Sequence, residues 1–307
     1  MTPGIHLLHK PAGPTSFSLV QQCTAAAPAK PNGRPARICH GGTLDPFASG
    51  LLLILVQPAT RLFDFLHAIP KVYHATIRWG IETDNGDPLG KIIATKDAGH
   101  LRPELLDQAI ASFKGWHDQT PPATSAKRVD GERAYLKAHR GETVIMPPAK
   151  VYLHEARWLS HDLPHESRLE LVVRGGYYIR ALARDLGQML GCGAHVKALR
   201  RTAIGPWNDP GPEQSIVDVG QDLSITIQGR DLLPWCASRI ITDAEADELK
   251  QGRTIPNENI LPPDWLLPAN FPDSEAPIRG FHRERFSFLL APRDGGLGLL
   301  TLLPGGL

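Results

Sequence analysis

The stretch His40-Gly41-Gly42-Thr43-Leu44-Asp45-Pro46-Phe47-Ala48-Ser49-Gly50 runs without interruption into Leu51-Leu52-Leu53-Ile54-Leu55-Val56. Glycine and proline punctuate chains, and a continuous apolar run of six residues bounded by turn signals is the pattern of a buried strand. A polar, Gly-rich turn carrying one carboxylate is therefore expected to be held against the core. By composition alone that turn is either an Asx-turn, in which Asp45 satisfies nearby N–H groups, or a reactive site.

Working outward, Ile5 to Leu8 reads as a short strand stopped by Lys10-Pro11-Ala12-Gly13-Pro14, with Thr15 or Ser16 capping a helix through Gln22. Ala25 to Arg37 is a loop by composition. Thr60 is placed to cap a helix over RLFDFLHAI. From Val72 to Trp79 the pattern alternates, with Tyr73, Ala75, Ile77 and Trp79 on one face of a strand, and Gly86 to Gly90 is a turn. Helices are expected over Pro103–Phe113, Glu132–Arg140 and Tyr178–Leu190, the last closed by Gly191, and strands near Val151–Trp158, Arg168–Val173 and Val196–Ala203.

A break falls near residues 205 to 230. Beyond it, Thr242-x-x-Glu245 forms a capping box for a short helix ended by Gly252, a Pro-rich loop spans Pro256 to Pro277, and Arg285–Ala291 and Leu297–Leu303 form two strands around the turn Arg293-Asp294-Gly295-Gly296. Strands and helices without a regular βαβ repeat point to an α+β fold, a mixed, largely antiparallel sheet flanked by helices, with a small mostly-β appendage. The expected domains are residues 1–230 and 231–307.

Bulk properties narrow the function classes. The chain has 307 residues, 42% hydrophobic and 21% charged, which is ordinary globular composition. Four distant cysteines without a Cys-x-x-Cys pair favour neither a disulfide scaffold nor a zinc ribbon, so a reducing compartment is expected. No secretory leader and no apolar run of about 18 residues is present, which makes the cytoplasm the expected location. The 33 basic and 32 acidic residues nearly cancel, yet Arg174, Arg180, Arg184, Lys197, Arg200 and Arg201 cluster against the single acid Asp185. A solvated face is the simpler reading of that cluster, and a phosphate track the more specific one. HExxH, GxxxxGK[ST], GxSxG and GxGxxG are all missing, and neither His6 nor His9 has metal-ligand spacing.

The eleven residues from His40 to Gly50 resemble the catalytic motif of TruB-type tRNA pseudouridine synthases. The resemblance continues in order through Lys10-Pro11, Gly13 and Ser16; Lys71-Val72-Tyr73; Gly80, Thr83-Asp84 and Gly86-Asp87; Gln119-Thr120-Pro121-Pro122 with Ser125-Ala126-Lys127 and Gly131-x-x-Ala134-Tyr135; Gly176-Tyr177-Tyr178-Ile179-Arg180 with Leu182 to Gly187; and Gly193 to Val196 with Leu199-Arg200-Arg201-Thr202. Cys39 stands where the family has Gly, Phe47 where Leu is common, and Arg174-Gly175-Gly176 departs from the usual Lys-Gly-Thr.

What the resemblance implies is a stand-alone isomerase converting the T-loop uridine at tRNA position 55 to pseudouridine, with Asp45, Tyr73 and Arg180 catalytic. It also implies substrate contacts through His40, Lys10, Gly42, Thr43, Leu199, Tyr178, Lys127, Arg184 and Arg201, with Arg128 and Arg133 extending the phosphate track. Neither cofactor nor metal is expected, because isomerisation conserves every atom and electron. The expected partner is the tRNA T-arm, bound by a monomer without an obligatory protein partner, and the carboxy-terminal part resembles a PUA-type RNA-binding domain. The alternatives are a guide-RNA-dependent synthase and an RNA-folding module without catalysis.

Overall fold

The computed structural model describes residues 1–27, 33, 35–125, 127–129, 131–214, 225–272 and 276–307. Six residues of the Ala25–Arg37 loop, Ala126 of the motif blocks and part of the expected break near 205–230 lie outside them. The chain forms two compact units of interleaved segments. One comprises Met1–Pro46, Gly50–Ile69 and Gly205–Leu307, and the other Phe47–Ser49 and Pro70–Ile204.

In the first unit, strand Gly4–Lys10 runs antiparallel to Ser49–Val56, pairing Gly4 with Val56 and Lys10 with Gly50. Ile38–His40 joins the same partner, and Thr226–Ile227 lies on the other side of Gly4–Lys10. Helix α1, Ser16–Ala26, begins where Thr15 Oγ1 accepts from Ser18 N at 2.9 Å, satisfying one of the orphan N–H groups of the first turn. Its face of Leu19, Val20 and Cys23 packs on Leu8, Leu52, Ile54 and Val56. Leu51 to Leu55 are fully buried, and each such side chain contributes roughly 1.5–3 kcal/mol of transfer free energy. The expected Thr60-capped α-helix is instead a 3-10 helix, Ala59–Leu66, which starts after Pro58 and has no side-chain cap. Thr60 sits inside it, because Pro58 already supplies a fixed φ at the entry.

The rest of this unit contains the small β module. Ser238–Ile240 is parallel to Ile278–His282, which is antiparallel to Arg285–Arg293, itself antiparallel to Gly296–Leu302. Helix α5, Asp243–Lys250, carries the expected capping box between Thr242 and Glu245. Arg279 is fully buried and makes four hydrogen bonds: Nε donates to Cys236 O, Nη1 to the carbonyls of Arg230 and Leu232, and Nη2 to Asp264. It fastens the segment before the sheet and part of the Pro-rich loop to the central strand.

In the second unit, Lys71–Trp79 lies between two antiparallel neighbours, Glu166–Val173 and Ala194–Ile204. Its burial alternates residue by residue, as the sequence predicts. Ala149–Asp162 extends the sheet beyond Glu166–Val173, and Gly115–Gln119 forms a further strand at its edge. Among the described residues, three α-helices belong to this unit: α2, Pro103–Ala111, α3, Ala134–His139, and α4, Ile179–Met189. The helix expected from Glu132 starts two residues later, since Glu132–Arg133 pairs with Arg128–Val129 in a two-stranded ribbon. Gly187 of α4 approaches the following strand so closely that a Cβ there meets Ala194 N at 2.3 Å. The Leu186-Gly187 step thus lets helix and strand touch through backbone. Among the described residues no helix is long and apolar enough to cross a membrane.

Candidate active site

The residues singled out from the sequence fall in both units. In the first, the loop from Gly41 to Pro46 carries Asp45, which is half-buried, beside exposed Thr43 and buried Leu44. Gly41 N donates to Leu53 O at 2.8 Å, and a Cβ on Gly41 meets Leu53 Cβ at 3.0 Å and Leu55 Cδ1 at 3.1 Å, so any larger residue there crowds the apolar strand beneath the loop. Gly42 N donates to His40 Nδ1 at 3.4 Å, and Gly42 has a φ of +136, a region that glycine enters without penalty.

The segment Lys10 to Ser16 holds this loop from beneath. Ser16, only 2% exposed, donates its hydroxyl to Leu44 O at 3.0 Å and accepts from Leu44 N at 2.9 Å. Gly13 N donates to Pro46 O at 2.7 Å. Lys10, expected at the substrate, is fully buried, and its ammonium donates to Pro11 O at 2.9 Å and Pro46 O at 3.2 Å. Both neighbours of Asp45 in the chain are therefore fixed by the amino-terminal segment. Nearby, His9 Nδ1 lies 2.9 Å from Asp209 Oδ1, a pairing that no spacing in the sequence announces.

In the second unit, Tyr73 faces the buried side of its strand opposite Arg201, whose Nη1 lies 3.4 Å from the phenol oxygen. Leu199 is opposite Ala75 on the same buried side. Lys71, two residues before Tyr73, is buried as well. Burial, reinforced by the like charges of Arg201 and Arg174, pulls its ammonium down to about 7. Arg201 is 1% exposed and Arg180 4%, so two members of the expected solvent-facing track are held inside, while Lys197 and Arg200 are exposed and Arg174 and Arg184 half-buried. The register shifts flanking residues 198–201 set this parity.

Arg180 enters at the second residue of α4. Its Nη1 donates to Asn85 O at 2.9 Å and Thr124 Oγ1 at 2.8 Å, and Asp87 Oδ2 lies 3.8 Å away. Asp87 is itself fixed, accepting from Leu89 N at 2.8 Å and Asn85 Nδ2 at 2.9 Å. Tyr178, the N-cap of α4, is seized by Gln119: the carboxamide accepts from Tyr178 N at 2.8 Å and donates to Tyr178 O at 3.1 Å. Arg184 donates to Thr120 O at 3.0 Å and Asp185 at 2.8 Å, and Lys127 is half-buried with its carbonyl accepting from Ala134 N. The motif blocks contain Asp87 and Gln119 without a role for them, and Ser16, offered by the sequence as a possible helix cap, binds Leu44 instead while Thr15 caps the helix. Asn85 and Thr124 were missed altogether, since contacts across 95 and 56 residues of chain have no local signature.

Comparison with known proteins gives two family-model matches, "TruB family pseudouridylate synthase (N terminal domain)" over residues 30–179 and "tRNA pseudouridylate synthase B C-terminal domain" over residues 180–223. Proteins named tRNA pseudouridine synthase B are similar along most of their length. The Mycobacterium tuberculosis protein is 37% identical over 259 residues, 83% of this chain and 84% of its own. The Synechococcus protein is 35% identical over 291 residues, 90% and 95%, and the Aquifex aeolicus protein 34% over 261 residues, 84% and 87%. Among solved structures, a chain of a Cbf5-Nop10-Gar1 complex superposes with a TM-score of 0.65 at 19% identity, covering 98% of this chain and 84% of that one, a likeness of fold alone.

Proposed function

The chain belongs to the TruB family of pseudouridylate synthases, and on that premise we propose that it isomerises the T-loop uridine at tRNA position 55, with Asp45 as the reacting carboxylate. The observation that carries the proposal is the Asp45 loop. A carboxylate left partly accessible, between neighbours fixed by buried hydrogen bonds, suits a group that must meet a flipped nucleotide in one geometry.

In the reaction the N1–C1′ bond breaks, the uracil turns, a C5–C1′ bond forms, the C5 proton leaves and N1 regains one, so atoms and electrons balance without a co-reactant. Asp45 supplies the single carboxylate such a sequence needs. Tyr73 and Arg180 join Asp45 as catalytic residues on the family resemblance, Tyr73 to offer a ring to the extruded base. Extruding the base costs a few kcal/mol, offset by stacking and backbone contacts. Gly42, Thr43, His40 and Tyr178 are assigned as contacts to the nucleotide, as the family resemblance implies. Arg174, Arg184, Lys197 and Arg200, with Lys127, serve as the phosphate track. Residues 1–230 form the catalytic part, and 231–307 a PUA-like module that adds affinity for RNA. The enzyme acts in the cytoplasm as a monomer that needs no protein partner.

The test is C5-tritium release from unmodified tRNA by the purified chain alone, against the same tRNA lacking its T-arm. Release from the first and none from the second is the expected result. No release from any free tRNA, with activity restored by co-purifying proteins and a guide RNA, overturns the stand-alone reading.

A further inference from the structure

The Ser16 and Gln119 contacts share a form that the chemistry of the reaction does not explain. Each seizes the N–H and the C=O of one residue: Ser16 of Leu44, immediately before Asp45, and Gln119 of Tyr178, two residues before Arg180. Only a side chain that both donates and accepts can do this. A hydroxyl and a carboxamide qualify, whereas a carboxylate or an ammonium does not. Both side chains are 2% exposed.

Neither is needed for the commoner job of capping its own helix or strand. Thr15, not Ser16, caps α1, and Gln119 ends a strand whose pairing runs through backbone. We propose that Ser16 and Gln119 are positioning residues that fix the backbone leading into Asp45 and Arg180 and so act on turnover rather than on tRNA affinity. The inference rests on the assignment of Asp45 and Arg180 above. Locking the N–H and the C=O of one residue, which belong to the two peptide units flanking its Cα, removes the freedom of the backbone to rotate about that residue. A site group displaced by even about 1 Å loses on the order of a hundredfold in rate.

The experiment compares kcat and KM for tRNA isomerisation in Ser16→Ala and Gln119→Met with two adjacent controls, Thr15→Ala and Asp118→Ala, and with Asp45→Asn. Ser16→Ala and Gln119→Met are each expected to lower kcat by about tenfold or more with KM within about threefold. Thr15→Ala is expected to lower the melting temperature by a few degrees and Asp118→Ala to leave it unmoved, both keeping kcat within about twofold. Ser16→Cys and Gln119→Glu, which hold volume, carry the same readings where the first variant does not fold. Wild-type kcat in the Ser16 and Gln119 variants overturns the inference, as does a kcat loss that Thr15→Ala shares in proportion to its loss of stability. If Asp45→Asn keeps wild-type turnover, the assignment of Asp45 fails. If it is inactive while the Ser16 and Gln119 variants are normal, only the positioning inference falls.

Discussion

The Asp45 loop and the start of helix α4 solve the same problem in opposite ways. Asp45 rides on a loop whose neighbouring residues are tied down by Lys10, Gly13 and Ser16, while its own side chain stays half-buried. Arg180 rides on a helix packed backbone to backbone on the following strand at Gly187, and its guanidinium is 4% exposed, engaged by Asn85, Thr124 and Asp87. The proposed reacting carboxylate is held through its backbone and left open at its tip. Arg180 is held at the tip instead. The difference has measurable consequences: on the proposed roles, removing the first is expected to disturb chemistry alone, and removing the second to disturb chemistry and fold together.

The largest effect on turnover belongs to Asp45→Asn, which is expected to abolish it while keeping tRNA affinity within about tenfold, since phosphate contacts carry most of the binding. Affinity lost in parallel with activity breaks the contrast. Next, Arg180→Met is expected to cut turnover sharply and, unlike Asp45→Asn, to cost stability, about 3 kcal/mol in urea unfolding, because Asp87 then stays buried without its cation. Equal stability in the two variants contradicts the division drawn here.

A smaller, pH-dependent effect is expected at Lys71. Its pKa is about 7 in the folded protein against 10.5 ordinarily. Below about pH 7 both states hold the proton, and the native state carries the whole cost of a buried ammonium. Between about 7 and 10.5 only the unfolded chain holds it, so this group makes stability rise with pH across that window. Lys71→Met removes the slope, and its stability advantage over the wild type is expected to shrink by about 2 kcal/mol from pH 7 to pH 9. A constant difference means that Lys71 is not desolvated as described.

Much of this was readable from residue order. The alternation of Lys71–Trp79, the apolar run behind Asp45, the Thr242 capping box and the hairpin around Asp294-Gly295 are local patterns, and the structure has them. Gly115–Gln119, with the sequence GWHDQ, carries no apolar alternation because it is an edge strand with little to bury. The 3-10 helix after Pro58 has an amphipathic pattern that a short α-helix shares. Arg279 and Gln119 were illegible as anchors because three of the four Arg279 bonds and both Gln119 bonds go to backbone groups, which every residue possesses and no sequence distinguishes. For the candidate site, residue identities came from the motif blocks, whereas the way Ser16 and Lys10 act on the Asp45 loop came only from coordinates.

The most direct test of the central claim is tritium release from C5-labelled uridine in unmodified tRNA by the wild-type chain and by Asp45→Asn at equal tRNA occupancy. Stoichiometric release by the wild type and none by the variant is the predicted result. Release by the variant at a comparable rate would contradict it and remove Asp45 from the chemistry.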